Sequence, residues 1–190
     1  HITLQGGFLY VTDSEADALL KIDPSTGTTT VLTSAIDFTD VGGMPLDIDF
    51  DIKSGIAVSP DGTKIYVASD DATSTVFEVD ITTGTPTVLA TDPGFDDLEV
   101  FMTSAPNGDV IVADDADELD DVTTVDEIFR VDDSGTVSVF LSAAELALAV
   151  GEQVDLDGGF AFDDFGNFYL AEENTDNIYR WFAIDPAAGT

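Results

Sequence analysis

Three short stretches of this sequence concentrate side chains able to bind a metal ion: Asp114, Asp115, Asp117, Asp120 and Asp121 in one run, Asp47-x-Asp49-x-Asp51 in a second, and Asp155-x-Asp157-Gly158 in a third. Closely spaced carboxylates are hard oxygen donors, and Ca²⁺ takes roughly six to eight such oxygens. None of the three is an EF-hand. Counted from Asp47, the sixth position is Ile52 where that loop needs glycine, and the twelfth is Val58 where it needs glutamate. Other chemistry is poorly supplied. The single histidine, His1, leaves a Ser-His-Asp triad without its base, and the absence of cysteine removes thiolate nucleophiles and Cys-ligated zinc. No P-loop or dinucleotide-binding glycine pattern occurs. Carboxylate pairs suited to glycoside hydrolysis are expected by chance among 39 acids, so no such pair is singled out.

The same acids set the electrostatics. Against five bases they give a formal charge of −34, which repels nucleic acid and anionic membrane surfaces and favours cations as partners. With 44% hydrophobic residues the chain nevertheless has the material for a core. No apolar run reaches the roughly 18 residues of a membrane-spanning helix, so membrane insertion is not expected. The chain opens at His1 without a signal-peptide pattern and reads as a processed segment, from which secretion or surface display is expected.

The elements that carry the acids repeat. Four apolar strands end in a small or polar residue followed by acids: Leu9 to Asp13, Ile65 to Asp70, Val110 to Asp115 and Phe168 to Glu173. Each precedes a second strand and a tight turn around Asp23, Asp80, Asp132 or Asp185, and the spacing suits one four-stranded blade per repeat. Hairpin turns with glycine at Gly62, Gly108 and Gly166 precede three of the four units. The fold class is therefore all-β, a single β-propeller or propeller segment over 1–190. Its four blades of four antiparallel strands lie near 1–34, 55–91, 98–141 and 157–190, the last blade lacking its outer strand. Ser34 with Asp37 and Ser142 with Glu145 have capping-box spacing, and Gly42 and Gly151 are stop signals, so short helices are expected in two inter-blade connections. His1 to Leu4 supplies either a short first strand or the strand that closes blade four.

The segments SPDGTKIYVAS and LYVTDSEADALLKIDPSTGTTTVL resemble the YVTN repeat, and DDFGNFYLAEENTDNIYR resembles NHL and gluconolactonase-type repeats. The resemblance implies a propeller, a fold usually built from six or seven blades. For the gluconolactonase type it also implies one divalent metal near the axis, held by Glu, Asn and Asp; the residues here offering those types are Glu99, Asp155, Asp157 and Asn174.

In a propeller the loops between the second and third strands of each blade and the blade-to-blade connections share one face, which places most of the acids there. Two readings of that face stand: carboxylates hydrating a surface, as in salt-adapted proteins, or carboxylates converging on Ca²⁺. The expected function is a non-enzymatic extracellular binding or assembly module. Its partners would be further copies of itself, joined by strand complementation at blade four, or another extracellular protein. The alternative is a metal-dependent lactonase or hydrolase of the gluconolactonase-like type.

Overall fold

The computed structural model describes residues 1–39, 42–44, 55–69, 74–95, 98, 101–114, 126–151, 154, 156, 159–172 and 175–181. These form four antiparallel sheets arranged as the blades of a propeller. Blade one is β1 (Ile2–Gln5), β2 (Phe8–Asp13), β3 (Ala18–Asp23) and β4 (Thr28–Ser34). Blade two is β5 (Ile56–Val58), β6 (Lys64–Ser69), β7 (Thr75–Asp80) and β8 (Pro86–Thr91). Blade three is β9 (Met102–Ser104), β10 (Val110–Asp114), β11 (Glu127–Val131) and β12 (Val137–Leu141). Blade four has three described strands, β13 (Phe160–Phe162), β14 (Phe168–Glu172) and β15 (Asn177–Trp181). The segment Ile2–Gln5 is the inner strand of blade one, not an outer strand for blade four; a two-glycine turn, Gly6 and Gly7 both at positive φ, folds it onto β2.

Blade stacking makes the core. Successive inner strands β1, β5, β9 and β13 lie side by side, and each pair of neighbouring blades encloses an apolar layer. The first joins Tyr10, Leu19 and Phe38 to Ile65, Val67 and Phe77; the second joins Tyr66, Val76 and Leu98 to Val112, Phe129 and Val131; the third joins Ile111, Ile128 and Phe140 to Leu156, Phe168 and Leu170. Strand alternation produces this arrangement, because each blade sends one set of side chains to the blade before it and the other set to the blade after. The aromatic strand residues serve the layers: Phe77, Phe129, Phe168, Tyr10 and Tyr66 are buried.

A second inter-blade contact is made by backbone. In blades one to three the pairing of the third and fourth strands shifts by one residue, which leaves Leu32, Leu89 and Phe140 as bulges. The Leu32 carbonyl sits against Gly84 in the next blade's outer turn, and the Leu89 carbonyl sits against Gly135 in the turn after that. A Cβ at these glycines would lie 1.9 and 2.1 Å from the carbonyl oxygens.

Both inter-blade helical segments form. Ser34 and Asp37 complete a capping box on a single 3₁₀ turn, Ala35–Asp37, and Ser142 and Glu145 complete one on α1 (Ala143–Val150). Helix α1 stops at Gly151 in the left-handed region, as its sequence signal indicates. The first segment ends earlier than Gly42. Phe38 turns to extended backbone and buries its ring edge-on to Phe77, at 4.9 Å between centroids, so core packing overrides the later stop signal.

Candidate functional site

The two faces of the propeller use their carboxylates differently. On the face of the outer turns, Asp23, Asp80 and Asp132 each accept hydrogen bonds from amides two to four residues on, such as Ser25 N at 2.8 Å, Thr83 N at 2.7 Å and Thr136 N at 2.9 Å. Asp61 and Asp163 close the inner hairpins in the same way, through Thr63 N at 3.0 Å and Asn167 N at 2.9 Å. Hydrogen bonds to the ionised form hold all five carboxyls below the usual carboxylate range: hydroxyl bonds lead at Asp23, Asp61 and Asp132, amide bonds at Asp80, and the Asn167 side-chain amide at Asp163. These acids are occupied in closing turns, whereas the opposite face carries the acids of the loops between the second and third strands.

There the second strand of each blade ends at one equivalent position, occupied by Asp13, Ser69, Asp114 and Glu172. Each pairs with the first residue of the next strand: Ala18, Thr75, Glu127 and Asn177. Asp114 and Glu172 are buried, at 4% and 2% exposure, a rare state for carboxyl groups unless they are bonded. Glu172 accepts from Thr175 N at 2.8 Å and from Thr175 Oγ1 at 2.7 Å, and Thr175 Oγ1 lies 3.0 Å from Tyr179 Oη. Asp13 closes its own loop through Glu15 N and Ala16 N. Asp17 and Asp176, each immediately before the following strand, both take positive φ. At Asp13 and Glu172 the position is thus a loop clamp, and in blade three it stands at the root of the longest acidic run. Asp114 belongs to the predicted metal set; Glu172 does not, although its register in the repeat is the same and would have identified it.

On the same face, where the inner strand of each blade begins, four further residues are equivalent. Thr12, Ala68, Ala113 and Ala171 donate their backbone N–H groups to the carbonyls of His1, Gly55, Phe101 and Gly159, at 2.9 to 3.2 Å. The rings of His1 and Phe101 meet edge-on at 6.1 Å, and Phe101 meets Phe160 at 6.4 Å. Just before two of these positions the chain is anchored: Leu98 and Leu156 are each 1% exposed and belong to the inter-blade layers. Each anchor is flanked in sequence by acids, as Asp97-Leu98-Glu99 and Asp155-Leu156-Asp157.

Of the predicted metal ligands, Asp115, Asp117, Asp120, Asp121, Asp47, Asp49, Asp51, Asp155 and Asp157 lie outside the described residues, as do Glu99 and Asn174. Among the described residues no three His, Asp or Glu side chains converge on a point that could hold a metal ion. No described helix is long and apolar enough to cross a membrane.

No protein-family model matches the sequence, and no curated protein sequence matches it. Solved structures do share its fold. The calcium-binding protein regucalcin from Agrobacterium tumefaciens is 17% identical with a TM-score of 0.63 over 99% of this chain and 54% of its own. A gluconolactonase from Xanthomonas campestris is 16% identical with a TM-score of 0.62 over 94% and 55%. A chain of a nidogen/laminin complex is 16% identical with a TM-score of 0.64 over 95% and 58%. The chain therefore spans little more than half the length of these propellers. The likeness bears out the propeller fold that the repeat resemblance implies. It also corrects one expectation: a chain built on an architecture shared with a gluconolactonase is not to be set down as non-enzymatic.

Proposed function

We propose that the chain forms four blades of a metal-dependent hydrolase of the lactonase type, with its site at the mouth of the axis on the acidic face. The observation that carries the reading is the pair of buried anchors, Leu98 and Leu156, one residue before Glu99 and Asp157 and three before the innermost strand-pairing residues Phe101 and Gly159. Burial fixes each leucine itself in an inter-blade layer, and precise metal ligation depends on packed support of this kind. The fold shared with a gluconolactonase and with a calcium-binding regucalcin favours this reading over a purely structural role.

Glu99, Asp155 and Asp157 would hold the ion, with Asn174 as a neutral oxygen donor, and Ca²⁺ suits a set made only of hard oxygen donors. A bound divalent cation supplies Lewis acidity toward an ester carbonyl. The rings of His1, Phe101 and Phe160 contribute an apolar wall at this rim, which fits the hydrocarbon side of a compact substrate.

The test is hydrolysis of a panel of aliphatic and sugar lactones, followed by proton release after chelation and again after adding Ca²⁺ or other divalent ions. Turnover is expected only with a divalent ion, to fall at least tenfold in Glu99→Gln and Asp157→Asn, and to persist in Asp132→Asn on the other face. Activity equal in all three variants, or none with any divalent ion, would overturn the assignment.

A further inference from the structure

The three internal interfaces show what a blade face requires, and blades one and four each present one such face without a cover among the described residues. In blade two the side facing blade one carries Ile56, Ile65, Val67, Phe77 and Val79, all buried. The equivalent side of blade one carries Ile2, Leu4, Val11, Leu20, Ile22 and Val31, in the same cross-strand register. None of these six is buried, and Ile2, Leu4 and Val31 are 62%, 64% and 59% exposed. A contiguous apolar sheet face left in water marks an interaction surface.

The opposite half of an interface lies on blade four. Its outward side carries Ala161, Tyr169, Ala171 and Ile178, with Ala161 opposite Tyr169 and Ala171 opposite Ile178. Blade two's outward side carries Ala57, Tyr66, Ala68 and Val76 in identical register, and there blade three covers it. Ile178 is 73% exposed where its counterpart Val76 is fully buried. The backbone contact has an open place as well. Gly84 and Gly135 each receive a bulge carbonyl from the preceding blade, whereas Gly27, the equivalent glycine of blade one at φ 72°, has nothing within 4 Å of its Cβ position.

We infer that blade four of one copy docks face to face on blade one of a second copy, reproducing the internal blade-to-blade interface. The contact is heterologous, each copy offering a different half, so it joins chains head to tail. It stacks blade faces and differs from strand addition at the edge of blade four. The net charge of −34 per chain sets its salt dependence: like-charge repulsion opposes the joint, and screening, with a Debye length of about 8 Å at physiological ionic strength, strengthens it.

The test is sedimentation of the 190-residue chain over a range of concentrations and NaCl levels, with Leu4→Asp and Ile178→Asp, whose exposed side chains leave the fold intact as checked by circular dichroism. The wild-type chain is expected to self-associate, more so at higher salt. Each variant alone should sediment as a 20.0 kDa monomer. Mixed one to one, the variants should give a species of twice that mass, because one live face of each kind remains. A monomeric wild type under all conditions would overturn the inference, as would variants that assemble like the wild type or a mixture that stays monomeric.

Discussion

Replacing Gly84 by alanine tests the bulge-and-glycine contact between blades. Gly84 has a φ of 71°, where an L side chain costs about 1 kcal/mol or somewhat more. Its added Cβ would also stand 1.9 Å from the Leu32 carbonyl oxygen, and that atom belongs to the backbone of a neighbouring sheet that cannot rotate aside. Relieving the overlap moves two blades apart along a buried layer, an overpacking cost of about 1–3 kcal/mol. The sum is about 3 kcal/mol, or a fall of about 6–12 °C in Tm for a chain of this size. Gly27→Ala is the internal control under dilute, low-salt conditions where the chain is monomeric, since its φ of 72° imposes the same backbone strain with nothing within 4 Å of the new methyl. It should cost about 1 kcal/mol. Thermal and urea unfolding by circular dichroism read both variants. Equal losses for Gly27→Ala and Gly84→Ala would refute the claim that the turn glycines are blade-docking points.

Three further predictions follow from the same structure. Arg130→Ala removes the cation paired with the 8% exposed Asp109 side chain, leaving Asn107 Nδ2 at 2.7 Å as its side-chain donor among the described residues; a loss of about 3 kcal/mol is expected in urea unfolding, and a change under about 0.5 kcal/mol, the range of an ordinary surface substitution, would count against the pair's role. Ser142→Ala breaks the capping box of α1 and should cost about 1 kcal/mol, with Ser142→Asp restoring most of it; a neutral Ser142→Ala would show that packing of Leu146 alone holds the helix. Stability should vary with pH in two phases. Between pH 7 and the isoelectric point near 4.1 it should rise as self-repulsion falls. Below about pH 4, near the ordinary Asp pKa, it should decline. The folded pKa values of Asp23, Asp61, Asp80, Asp132 and Asp163 are depressed, so their contribution is present above the unfolded value and is lost as pH falls through the folded one. A Tm that keeps climbing from pH 4 to pH 2.5 would contradict the turn assignments.

Much of this architecture is local chemistry and therefore legible in the chain. The turn aspartates and glycines at Asp23, Asp80, Asp132, Gly62, Gly108 and Gly166 act within five residues of themselves, and the capping boxes at Ser34 and Ser142 act within three. The repeat carries that local information around the propeller. What sequence reading misses is non-local. The stop at Phe38 depends on a ring partner in blade two, Phe77, and the bulge at Leu32 is defined by a register shift against β3 and a glycine in another blade. The burial of Glu172 follows from its place at the end of a strand, which only alignment to Asp114 within the repeat reveals. For the candidate site the position is reversed: the acids flanking Leu98 and Leu156 are evident in sequence, whereas the burial of the two leucines and the strand-pairing at Phe101 and Gly159 are seen only in the structure.

Calorimetric titration of Ca²⁺ into the chelated protein at constant ionic strength separates a metal site from a hydrated acidic surface. Binding is expected to be saturable, to survive an excess of NaCl, to be lost in the Glu99→Gln, Asp157→Asn double variant, and to be unchanged in Asp132→Asn. Heats that vanish into the NaCl background, or that are identical in the double variant and the wild type, would make the acidic face a solvated surface and remove the basis for a metal-dependent site.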